Sequence, residues 1–251
     1  MNLVEIFSSV QGEGPYVGTA TLFVRVGGCD LRCAWCDSPH TWLPGRECRI
    51  QEARGSDASR VVENPVSLET ALEAARALDG AAHRFVSLTG GEPLLQPEAV
   101  SALAPALRAL GPRIHLETHG LAVDALDEVV EHVDVVSMDW KLASDVRRES
   151  GEPGPFHEIH QDFLRVALRA PEVVVKLVVT PATGDEELEE AWSRIAAVDS
   201  ALPVILQPVT PFARVRERPA AARLLELAAR ASQMLDDVRV IPQTHLLLGV
   251  R

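Results

Sequence analysis

The sequence predicts an α/β fold built on a mainly parallel sheet, and three observations predict it. Short apolar runs alternate with helical segments along most of the chain, each run is apolar or β-branched over four to seven residues as strands covered on both faces are, and no composition break divides the 251 residues. The expected strands are Thr21 to Val26, Arg84 to Leu88, Arg113 to Glu117, Val133 to Met138, Val173 to Val179 and Val204 to Gln207. Between and after them, helices are expected from Ser67 to Leu78, Pro97 to Leu110, Val123 to His132, Phe156 to Ala170, Glu186 to Val198 and Ala220 to Leu235. Ser67 before Glu69-Thr70, and Asp185 before Glu186-Glu187, supply capping side chains and acidic first turns. Six β/α units fit a partial (β/α)6 barrel in one domain, residues 1–251.

In parallel α/β folds the site forms at the C-terminal ends of the strands. Here the first strand runs into a cysteine-rich loop, the second into Thr89-Gly90-Gly91-Glu92-Pro93, the third ends at Glu117-Thr118 and the fourth at Asp139-Trp140-Lys141. Lys176 lies within the fifth, and Gln207-Pro208 ends the sixth. The stretch 44–65, rich in Arg, Glu, Asp, Ser and Gly, breaks the alternation and reads as a solvated surface insertion.

A formal charge of -12 argues against nucleic acid or an anionic membrane as a general partner and favours a small-molecule site. The first residues lack a basic region followed by an apolar stretch, and no run approaches 18 apolar residues, so a cytoplasmic location is expected. Four cysteines with three clustered suit metal binding in a reducing compartment; Cys48, in a polar segment, reads as a free and structurally idle thiol.

Cys29, Cys33 and Cys36 are spaced C-x3-C-x2-C. Three thiolates so placed can hold a 4Fe-4S cluster or supply most of a tetrahedral zinc site completed by Cys48 or His40. The second motif, Thr89 to Pro93, adds a resemblance to the radical S-adenosylmethionine (SAM) superfamily. That resemblance implies a 4Fe-4S cluster on the three cysteines, one iron open to the amino and carboxylate groups of SAM, and a partial (β/α)6 barrel of the radical SAM type.

Taken alone, Gln11-Gly12-Glu13-Gly14 is a turn. With the preceding Glu5-Ile6-Phe7, the later Phe23-Val24-Arg25, Glu117 to Gly120, Leu206-Gln207-Pro208 and Pro242 to His245, it is similar to the 7-carboxy-7-deazaguanine synthase family. That family's chemistry would use SAM cleavage to a 5'-deoxyadenosyl radical that takes hydrogen from C6 of 6-carboxy-5,6,7,8-tetrahydropterin. Ring contraction and loss of ammonia then give 7-carboxy-7-deazaguanine for 7-deazapurine (queuosine-type) biosynthesis, with no side chain assigned as acid or base. The resemblance implies substrate contacts from Val10, Gln11, Gly12, Glu13, Thr89 and the terminal carboxylate of Arg251. Arg25 suits the substrate carboxylate because a guanidinium matches it at two points. Mg2+ would be held by Ser38, and SAM by Trp35, Cys36, Asp37, Gly91, Asp139, Trp140, Lys141 and Gln207; Asp139-Trp140-Lys141 departs from the Ser-Pro-Lys of relatives. Glu117 is either a ligand or an ion-pair partner of Lys141 or Lys176, and His115, His119 and His245 read as structural. A homodimer and an electron donor such as flavodoxin or ferredoxin are the implied partners. The rivals are a glycyl-radical activating enzyme, which leaves Gln11 to Glu13 and Arg25 unexplained, and a metal-binding module that would not cleave SAM.

Overall fold

The computed structural model describes residues 1–152 and 156–250. In chain order the elements are β1 (Leu3–Val10), β2 (Ala20–Val26), β3 (Leu31–Cys33), β4 (Glu47–Gln51), β5 (Ser59–Glu63), α1 (Leu68–Ala77), β6 (Phe85–Gly90), α2 (Pro97–Arg108) and β7 (Arg113–Thr118). There follow α3 (Val123–Val129), β8 (Val135–Asp139), β9 (Val146–Arg148), α4 (Phe156–Ala167), β10 (Glu172–Val179), α5 (Asp185–Asp199), β11 (Pro203–Pro208), α6 (Ala221–Ala231), β12 (Asp237–Val240) and α7 (His245–Leu248).

Ten strands form one open sheet in the order β12-β11-β10-β8-β7-β6-β2-β1-β4-β5. The six expected strands are its centre, each parallel to the next. With helices between them they make the partial barrel, which β12 extends in parallel at one edge. Their near-continuous burial, as in Phe85 to Thr89, follows from cover on both faces. Two of the largest fully buried side chains, Trp140 and Trp192, lie in the main core.

The helices end where their chemistry changes. Ser67 Oγ accepts the Thr70 N–H at 3.1 Å, as expected of a cap. Asp185 does not cap α5: Gly184 occupies that position, and Asp185 instead ties α5 to α6 through Arg223 and Arg230. Among the described residues no helix is long and apolar enough to cross a membrane.

The sheet's other edge was not expected. β1 pairs antiparallel with β2, and a register shift between Leu3 and Glu5 interrupts the alternation that would have marked it as a strand. The stretch 44–65 folds largely as the β4–β5 hairpin, with β4 parallel to β1. Its alternation puts Cys48 and Ile50 into the core, 0% and 1% exposed, while Glu47 and Arg49 face outward. Cys48 is therefore a packing residue rather than an idle one, and burial pushes its thiol up to about 12.

The hairpin's burial sets a test. Ile50→Ala should lower unfolding stability by about 2–4 kcal/mol, as truncation of a buried Ile does. Val61→Thr, at an exposed position of β5, should stay within about 0.5 kcal/mol by urea denaturation.

Candidate active site

The C-terminal ends of the parallel strands open onto a cavity of about 800 Å³. Its floor begins at the cysteine loop. Beyond β2, the Gly28 N–H donates to Thr41 O at 2.8 Å and the Cys29 N–H to Trp42 O at 3.1 Å, closing the loop on a turn at Pro39–Thr41. β3 pairs antiparallel with β9, setting Cys33 opposite Val146. Leu31, Val146 and Phe156 form a small apolar core against which Cys29, Cys33 and Trp35 pack. All three cysteines are free, half-buried and cavity-lining. Burial pushes Cys29 up to about 12, Cys33 up to about 11, and Cys36 upward as well.

The Thr89 to Pro93 turn lies directly on this loop. A methyl group at Gly91 would overlap the Gly28 carbonyl, and Gly90 takes φ +126°, so neither position accommodates a side chain. Glu92 is fully buried: its carboxylate accepts the Leu94 N–H at 2.9 Å, the Thr118 hydroxyl at 2.8 Å and the His119 N–H at 2.8 Å. His119 in turn donates to Asp30 at 2.8 Å, the main cause of that carboxyl's lowered pKa. His119 thus links the end of β7 to the cysteine loop.

Across the cavity runs a chain of charges. Lys141 Nζ lies 2.5 Å from Asp139 Oδ2 and 4.6 Å from the Trp35 ring centre; Lys176 Nζ bridges Asp139, at 2.9 Å, to Glu13. Burial would raise Asp139, but the ammonium groups of Lys141 and Lys176 outweigh it and bring it down to about 2. Burial would likewise raise Glu13, yet Lys176 keeps it below the usual carboxylate range. Lys176 is held above its ordinary value because Asp139 and Glu13 outweigh its own desolvation. Gln243 completes the chain, donating to Glu13 at 2.7 Å and to Asp37 at 2.9 Å.

Beside this lies a second carboxylate. Glu117 accepts from Ser87 at 2.6 Å, Gln11 at 2.9 Å and Thr89 at 3.3 Å. Of the two roles left open for it, these neutral hydrogen-bond donors match neither Lys141 nor Lys176 as an ion-pair partner. Arg25 donates through Nε to Glu5 at 2.9 Å and through Nη1 to Ser38 Oγ at 3.3 Å. The chain's last turn closes one side: the Thr244 N–H donates to Gly12 O at 2.8 Å, and a methyl at Gly12 would overlap His245.

The cavity brings together the expected Val10, Gln11, Gly12, Glu13, Arg25 and Thr89, the cysteines, and Trp35, Asp37, Ser38, Gly91, Asp139, Lys141 and Gln207. Trp140 is not among its lining residues. Its ring turns into the core, 1% exposed, and donates to His157 at 2.9 Å. Arg251 lies outside the described residues. Gln243 falls in the Pro242 to His245 motif but had no role of its own, and Ser87 was missed; Ser87 is two residues from Thr89 on the same strand face, a period-2 signal that was available.

The Radical SAM superfamily model matches residues 23–194. The 7-carboxy-7-deazaguanine synthase of Geobacter sulfurreducens is 38% identical over 98% of this chain and 96% of its own length. That of Methanopyrus kandleri is 36% identical over 99% and 93%. In fold, the chain is similar to the crystal structure of QueE from Escherichia coli (TM-score 0.62, 23% identity, 97% of this chain and 93% of that one). A radical SAM methyltransferase from Sphaerobacter thermophilus is similar too (TM-score 0.61, 17% identity, 92% and 67%). The chain therefore belongs to the radical SAM superfamily and, within it, to the family of 7-carboxy-7-deazaguanine synthases.

Proposed function

We propose that this chain, as a single radical SAM domain, converts 6-carboxy-5,6,7,8-tetrahydropterin to 7-carboxy-7-deazaguanine. The observation that carries the reading is one cavity shared by the three cysteines and by the carboxyl side chains of Glu13 and Glu117. The superfamily implies a 4Fe-4S cluster and SAM, and the residues present fit them. Three free thiols on one loop face the cavity, beside the Gly90-Gly91 turn that also lines it. When bound, the cluster and SAM supply one-electron cleavage that yields a hydrogen-abstracting carbon radical.

The protein's own residues bind and orient. Cys29, Cys33 and Cys36 hold the cluster, and Trp35, Cys36, Asp37, Gly91, Asp139, Lys141 and Gln207 line the SAM side. Glu13, held anionic, accepts from the donor edge of the 2-amino-4-oxo ring, while Gln11 can donate to its oxo group. Arg25 keeps Nη groups for the substrate carboxylate. Ser38, which accepts from Arg25 at 3.3 Å, would supply a hydroxyl to a Mg2+, a hard cation that keeps several waters and needs few protein ligands. Val10, Gly12 and Thr89 shape the substrate end. We further propose a cytoplasmic homodimer reduced by a flavodoxin or ferredoxin.

Reconstituted anaerobically with reductant, SAM, Mg2+ and the pterin, the protein should form 7-carboxy-7-deazaguanine by mass spectrometry, and Cys33→Ala should form none. 5'-Deoxyadenosine without the deazaguanine would overturn the substrate and leave the superfamily standing. Arg25→Lys keeps the charge but loses the planar fork, so the pterin KM should rise roughly tenfold, about 1.4 kcal/mol.

Lys176→Met should expose a pH dependence. The ammonium lowers Glu13 against burial; without it, burial alone raises the carboxyl. Pterin affinity of the variant should therefore fall as pH drops through the raised Glu13 pKa, while the native protein, whose Glu13 titrates below its ordinary value, shows no such limb near neutrality. Equal pH profiles would remove Glu13 from recognition.

A further inference from the structure

We infer that an arginine-bearing surface behind the cysteine loop docks a small acidic electron-carrier protein. This rests on the radical SAM reading and names the surface through which the electron enters. Strand alternation carries the first half of the argument. On β3, Leu31 and Cys33 face the small apolar core and the cavity, so Arg32 points the other way. The antiparallel register sets Arg32 directly opposite Arg147 of β9, whose neighbour Val146 is buried.

Like charges opposed across a strand pair are unfavourable. Arg32 is offset by Glu149 at 2.6 Å and stacks over Trp42 at 4.8 Å. Arg147 is exposed and has no ion pair among the described residues.

The second half comes from the loop after β11. Ala34, next to Cys33, donates its N–H to Asp145 O at 2.8 Å and accepts the Arg214 N–H at 3.2 Å. That contact joins the β9 side to a loop carrying Arg214, Arg216 and Arg218, all exposed and without an ion pair among the described residues. Glu217 is the acid interleaved with them, and Asp145 is engaged by Thr180 at 2.9 Å. A chain of formal charge -12 thus gathers unneutralised arginines on both sides of the backbone that presents Cys33. Such a patch, in an otherwise acidic protein, attracts and orients an acidic partner. Electron-transfer encounters need only small interfaces, steered by charge more than held by burial. One electron leaves the carrier's reduced cofactor and one enters the cluster, with no proton or leaving group to place.

The test compares the reconstituted native protein with Arg147→Glu/Arg214→Glu/Arg216→Glu. An acidic flavodoxin and an acidic ferredoxin serve side by side as carriers, with dithionite as the small-molecule control. For at least one carrier, surface plasmon resonance at low salt should show binding by the native protein, at least tenfold weaker in the variant and weakened likewise by 0.5 M salt. With that carrier, SAM cleavage should slow at least tenfold in the variant, while dithionite-driven cleavage stays within twofold. Carrier-driven rates unchanged by the substitutions would overturn the docking surface. Equal losses with dithionite would overturn it too, by showing a structural role, and native cleavage under dithionite keeps the radical SAM reading separate from either failure.

Discussion

The seam between the cysteine loop and the Thr89 to Pro93 turn is the constraint on which the site depends. Gly91 lies so close to the Gly28 carbonyl that a side chain is excluded there, and Glu92 fastens the same turn to the end of β7 with two hydrogen bonds while a third, from the Leu94 N–H, braces the turn itself. A fully buried carboxylate is tolerable only when its lone pairs are satisfied, and here Thr118 and two backbone N–H groups satisfy them. Removing any member would leave a buried acceptor or donor unmet, at a cost near 1–3 kcal/mol. The seam is therefore rigid, and a loop built to present three thiols needs that rigidity.

The charge chain from Lys141 through Asp139 and Lys176 to Glu13 does a different job. Each ammonium meets a carboxylate, so the desolvation that would favour neutral forms is overcome and all four stay ionised. Buried pairs of this kind add little net stability compared with apolar packing. Their value is in placing fixed charges at both ends of the cavity without letting water supply them. Lys176 bridges the two ends because it sits in register with Asp139 on the neighbouring strand, a consequence of sheet geometry.

Much of this was legible in the sequence because the central strands are apolar on both faces and the motifs fall at their ends. The Cys29, Gly91, Glu117 and Asp139 positions follow once strand order equals chain order. What escaped depended on long-range pairing. β1 hides behind a bulge, and β4 carries only Cys48 and Ile50 as inward residues, too short a signal against the charges around it. Trp140 sits between two cavity residues, Asp139 and Lys141, and motif position alone put it with them. The alternation at a strand end turns its ring to the other side, where His157 and α4 receive it.

That reversal bears on how the site holds its shape. The Lys141 N–H donates to His160 at 2.8 Å, and His160 donates onward to Gly120 O at 2.7 Å. Burial brings His160 down to about 3, so it is neutral at physiological pH and can accept and donate at once. Trp140 packs on the same ring, centres 5.0 Å apart. The residues pointing away from the cavity thus fix the backbone of the residue pointing into it, and the position of the Lys141 ammonium is set from behind.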